Sequence, residues 1–194
     1  MFVPDDKQVP ELLKLHNDNN STISGTKLLY PEFSWNNVEE ASHNIQTVFP
    51  NKQNSYRGSI QFGGGNFAYN LNFKTYFPNH FCRFKNKDYY LVTTDKLEIF
   101  VTGAFQIIDL KWFIENGGLN PSLSLNFQDV DICLRAYKQD KKVYYFGENN
   151  YLYHDESVSL SKSKNTNQFA SDHIIYSKIW NSQEYFTHIL KHEF

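Results

Sequence analysis

Two carboxylates and a guanidinium stand close together in the run Gln128-Asp129-Val130-Asp131-Ile132-Cys133-Leu134-Arg135, and an imidazole, His154, follows downstream. A carboxylate set against a hydroxyl takes its proton, so Asp129 is a candidate general base. In the first turn of a helix, where the dipole favours negative charge, the same residue serves equally as a cap. Asp129-Val130-Asp131 also spells Asp-x-Asp, but on a helix these two side chains point about 200° apart and do not easily grip one metal ion. Asp131 and Arg135 have the spacing of a helical ion pair, which predicts structural support for both. His154 offers one nitrogen ligand, although manganese and magnesium generally prefer oxygen. Pairing His154 with Ser157 or Ser159 for hydrolysis is a poor alternative, since neither serine sits in a Gly-x-Ser-x-Gly elbow.

The elements that must position these groups follow from hydrophobic period and punctuation. Val130, Cys133, Leu134 and Tyr137 fall at i, i+3, i+4 and i+7, which predicts an amphipathic helix over residues 127–137 with Asp129 and Asp131 at its start. A shorter helix over 109–115 is closed by Asn116-Gly117-Gly118, with glycine available for a left-handed cap. Residues 143–146 and 151–153 read as strands, the second delivering His154. Residues 89–92 and 97–102 also have strand composition, with the polar run 93–96 between them. Earlier, a helix over 9–17 precedes a strand over 23–30 that Pro31 closes, and 33–54 reads as loop with one helical turn. The strand 59–62 runs into Gly63-Gly64-Gly65, a turn that lacks the Gly-Lys-Ser/Thr and following helix of a phosphate loop. Ile175, Ile179, Phe186 and Leu190 mark a C-terminal amphipathic helix.

Composition narrows the class. The chain has 194 residues, enough for one domain with a proper core, so residues 1–194 are expected to form a single unit. A net charge of −2 without any basic run gives no electrostatic reason to expect nucleic acid. No stretch approaches the roughly 20 apolar residues that span a bilayer and the N-terminus is no signal peptide, so a cytoplasmic location is expected. Cys82 and Cys133 show no metal-binding or disulfide spacing. The aromatic share of 17% fits either a Phe-rich core or a sugar-stacking surface.

Three segments taken together carry a family resemblance. Val101-Thr102-Gly103-Ala104-Phe105, then Gly117-Gly118-Leu119-Asn120, then Gln128-Asp129-Val130-Asp131-Ile132-Cys133-Leu134-Arg135 resemble, in order and spacing, the second half of family 2 glycosyltransferases. His154 and Ser157 take the places of a later His and Ser, while Lys27-Leu28-Leu29-Tyr30-Pro31 and Ile60-Gln61-Phe62-Gly63-Gly64 resemble the middle segment. The resemblance implies an α/β fold whose mixed sheet and flanking helices correspond to the later part of an A-type glycosyltransferase. It implies a sugar transfer with inversion from a nucleotide-sugar donor to a glycan or protein acceptor, with Asp129 as base. Gly103, Ala104 and Gln128 would then contact the acceptor, and His154 would ligate a divalent Mn or Mg ion. The family's nucleotide-binding half would lie before Met1, so a separate N-terminal half is an expected partner. Asn120, Pro121 and Gln128 replace acids of the family pattern and each removes a negative charge. Those losses keep a second expectation open, a non-catalytic module that binds glycan or docks onto a partner.

Overall fold

A computed structural model describes residues 5–31, 58–71, 75–154 and 166–180. The expected loop 33–54, Ser157, Ser159, Phe186 and Leu190 lie outside these residues. The fold is α/β, with helices flanking a mixed sheet, as expected.

Helix α1, Gln8–Asp18, buries Leu12 and His16 and leads into β1, Ile23–Leu29, all seven residues of which are buried. An uninterrupted buried strand belongs at the centre of a covered sheet. β1 pairs on one side with β2, Ile60–Phe62, and β6, Ile107–Ile108, both antiparallel. On its other side it runs parallel to β7, Val143–Tyr153. The short β5, Lys96–Leu97, closes the far edge against β7. A separate antiparallel hairpin, β3 (Gly65–Asn70) and β4 (Thr75–His80), follows β2 through the Gly63-Gly64 turn. Glu98 lies over Gly64, whose φ of +114° is open to glycine without strain.

The two strands expected over 143–146 and 151–153 are one strand with a bulge. Phe146 pairs with Thr26 and Tyr151 with Lys27, leaving residues 147–150 looped out. Asp95 Oδ1 accepts from the N–H groups of Gly147 and Glu148 and so pins the bulge. Two other expectations are corrected. Residues 90–92 form a 3₁₀ turn rather than a strand, and of 97–102 only Leu97 pairs, as the end of β5. Ile99, Phe100 and Val101 are apolar because they are buried in the core, which residue type alone cannot distinguish from sheet pairing.

Helix α2, Leu110–Glu115, is capped by the Asp109 side chain, which accepts from Trp112 N–H at 2.6 Å. It ends as the glycines predict. Gly117 and Gly118 have φ of +79° and +67°, and their N–H groups donate to Ile114 and Phe113 carbonyls, the paired bonds of a Schellman cap. Helix α3, Gln128–Tyr137, buries Val130, Cys133 and Leu134 as its pattern requires. In α4, Thr166–Trp180, the buried stripe is Asp172, Tyr176 and Trp180, whereas Ile179 is exposed. Of the expected aliphatic positions within the described residues, Ile175 packs against the core and Ile179 does not, because the buried stripe runs through the hydrogen-bonded Asp172. Among the described residues no helix is long and apolar enough to cross a membrane.

Candidate functional site

The start of α3 is fixed from both sides. Asp172, with no exposed surface, accepts from the N–H groups of Ser124, Leu125 and Asn126. It also accepts from the Ser124 hydroxyl and from the Asn126 and Gln168 side-chain amides. Burial alone would raise the Asp172 pKa, but these donors outweigh it and hold the carboxyl well below its usual range. One carboxylate of α4 thus fastens the loop that enters α3. The next residue, Phe127, takes a left-handed conformation with φ of 65°, rare for a residue with a side chain. Its ring stacks on Tyr176 at 4.8 Å between centroids and meets Phe77 edge-on at 5.6 Å. Packing against α4 and the hairpin therefore holds this turn, and Gln128 and Asp129 emerge from it.

Asp129 meets the irregular segment before β6. Gly103 N–H donates to Asp129 Oδ2 at 2.7 Å, and Val130 N–H to Oδ1 at 2.9 Å. These charge-assisted bonds fix the rotation of the carboxylate. The approach needs glycine, since a Cβ at position 103 would lie 3.0 Å from Asp129 Cβ. Two motifs separated by 26 residues in the sequence are here in direct contact.

Gly103, Ala104, Gln128, Asp129 and His154 all line one cleft of about 960 Å³. Gln128 is anchored through its Nε2, which donates to the Leu123 carbonyl at 2.5 Å. His154 Nδ1 faces Gln61 Oε1 at 2.8 Å, while Gln61 Nε2 donates to the His154 carbonyl at 3.2 Å. The ring is thereby held against β2. His80 Nδ1 faces the Gln61 carbonyl oxygen at 3.2 Å, so Gln61 of β2, His80 at the end of β4 and His154 just after β7 converge along this part of the cleft.

Asp131 does not share that cleft. It is 1% exposed, its Oδ2 accepts from Arg135 Nε at 3.0 Å, and its Oδ1 accepts from Trp180 Nε1 at 2.8 Å. Arg135 continues to the Asn116 carbonyl at 2.7 Å through Nη1 and the Gly118 carbonyl at 2.6 Å through Nη2. One guanidinium thus ties the end of α2 to α3, and one carboxylate ties α3 to α4. Asp129 and Asp131 have separate partners, in keeping with their angular separation on the helix.

The described residues do not make up a metal centre. No three His, Cys, Asp or Glu side chains among them gather closely enough to hold an ion, and His154 would bring a single nitrogen. Cys133 is fully buried, and burial pushes its thiol far above the usual range, so it offers no nucleophile.

No family model, curated protein or solved structure matches the chain. The family resemblance therefore rests on the motif residues of the sequence alone.

Sequence reasoning did not find Asp172, Trp180, Phe77, His80 or Arg83. Each lies on an element distant in the chain from Asp129, and no local spacing signals its approach.

Proposed function

We propose that the cleft is the acceptor side of an inverting sugar transfer, with Asp129 as the general base. The observation that carries this reading is the contact between Gly103 N–H and Asp129 Oδ2, which joins the Thr-Gly-Ala segment to the Gln-Asp-Val-Asp segment on one cleft wall. Ala104 and Gln128 beside it leave room and polarity for an acceptor hydroxyl. In the reaction, that oxygen bonds to the donor's anomeric carbon while its proton passes to Asp129. The bond from the anomeric carbon to the nucleotide diphosphate breaks, and the configuration inverts. The mixed sheet with flanking helices is consistent with the later part of an A-type glycosyltransferase fold.

A second reading, a glycan-binding module without transferase activity, is favoured by the uncharged residues Asn120, Pro121 and Gln128 at places where the family pattern carries acids.

The two readings separate in one assay. The chain is incubated with uridine and guanosine diphosphate sugars and chitotetraose, with and without manganese, and the anomeric configuration of any product is read by NMR. Release of nucleotide diphosphate with an inverted product is the expected result. No release from any donor overturns sugar transfer by this chain alone, and leaves the binding module or a chain that transfers only with a separate nucleotide-binding half.

A further inference from the structure

We infer that the cleft binds a neutral pyranoside by stacking one face of the sugar ring on Phe77 and Phe169. This rests on the acceptor-side reading only in naming the bound sugar as the acceptor.

Phe169 projects from α4 and is 44% exposed, although an aromatic ring ordinarily gains by burial. Its centroid lies 6.0 Å from that of Phe77, with the two planes inclined by 37°. Both rings line the cleft that Asp129 lines. They are backed by buried side chains. Phe127 lies 5.5 Å from Phe169 and 5.6 Å edge-on from Phe77, and it rests in turn on Tyr176. The exposed surface is therefore a supported aromatic wall whose innermost ring, Phe127, stands two residues before the candidate base.

The polar groups of the cleft suit a polyhydroxyl ligand. Asn79, Asn126 and Gln128 supply uncharged amides, and Asp129 is the one carboxylate among the lining residues. The one guanidinium, Arg83, directs Nε and Nη2 to the Tyr30 hydroxyl at 2.8 and 2.6 Å. No group of cations gathers among the lining residues as a phosphorylated ligand would require. A pyranose with equatorial hydroxyls presents axial C–H bonds as an apolar face of slight positive charge. That face matches the negative face of an aromatic ring, while the rim hydroxyls reach the amides. A lipid would use the apolar wall and leave this amide rim unmatched.

The test is saturation-transfer NMR with titration of chitotetraose and cellotetraose, without donor, on wild type, Phe169→Ala and Phe169→Tyr. Both sugars are expected to bind wild type, with saturation strongest on the protons of one ring face. Phe169→Ala is expected to weaken binding about tenfold, or about 1.4 kcal/mol, and Phe169→Tyr to keep it. Phe169 is 44% exposed and belongs to no buried cluster, so its truncation is expected to leave the core in place, and an unchanged amide spectrum away from the cleft checks this. Failure of both sugars to bind wild type, or equal binding by Phe169→Ala, overturns the inference. Binding without transfer sinks only sugar transfer by this chain alone, and transfer to some other acceptor without sugar binding sinks only this inference.

Discussion

Gly103 N–H and Asp129 Oδ2 lie 2.7 Å apart, and this bond sets the direction in which the carboxylate faces the cleft. A Cβ at position 103 would come within 3.0 Å of Asp129 Cβ and force one of them to move. Gly103→Ala is therefore expected to shift Asp129 by a few tenths of an ångström and to lower transfer kcat by about tenfold, less than the ~100-fold of a 1 Å misplacement. Position 103 is exposed, so the melting temperature should change little. Steady-state kinetics with a melting curve on the same sample checks both parts.

Asp172 should be the most costly polar side chain to remove. Asp172→Ala leaves the donors of Ser124, Leu125 and Asn126 without their acceptor, and roughly 3–5 kcal/mol of stability is expected to go with it. The carboxyl is depressed below its ordinary 3.8 in the folded protein. A depressed acid stabilises the fold above its unfolded value and loses that contribution as pH falls through the folded one. The Asp172 contribution should be intact above about pH 4 and decline below it, and denaturant unfolding of wild type and variant along a pH series reads the difference.

His16 and His173 act in a higher pH window. Burial lowers both below the ordinary 6.5, with Asp109 partly opposing the shift at His16. Protonation then favours the unfolded chain, so stability is expected to fall as pH drops below about 6.5 towards the lowered values. The drop in urea midpoint between pH 7.5 and pH 5 should be smaller in His173→Phe than in wild type. An equal drop in both would remove His173 from the account.

Arg135 ties the end of α2 to α3, so its effect should appear as stability rather than chemistry. Arg135→Met strands the buried Asp131 carboxylate with Trp180 alone and frees the Asn116 and Gly118 carbonyls. A loss of about 3 kcal/mol is expected, the scale for breaking a buried pair. Sugar binding by the fraction that remains folded should be unchanged.

Local pattern made much of this molecule legible. The 3.6 period over α3 and the paired glycines after α2 declared their elements because a helix and its cap satisfy their backbone within a short stretch, and the apolar run of β1 declared a strand although its partners are distant in the chain. The approach of Gly103 to Asp129 was implied only by resemblance, since contact across 26 residues leaves no periodic trace. The inner face of α4 was only partly legible: Ile175 packs against the core, but Asp172 looks like a solvent-facing residue until its six donors are in view. The run at 97–102 shows the converse, apolar residues buried by packing that form almost no ladder. The aromatic share that suggested either core or sugar surface proves divided, with Phe62 and Phe100 in the core and Phe169 exposed at the cleft.

The central claim is that Asp129 removes the acceptor proton. It is tested most directly by single-turnover transfer to chitotetraose with wild type and Asp129→Asn, on samples of equal melting temperature and equal sugar affinity. The account predicts that wild type transfers and that Asp129→Asn is slower by at least about 100-fold, the scale of general-base catalysis. Transfer by Asp129→Asn at the wild-type rate would contradict it.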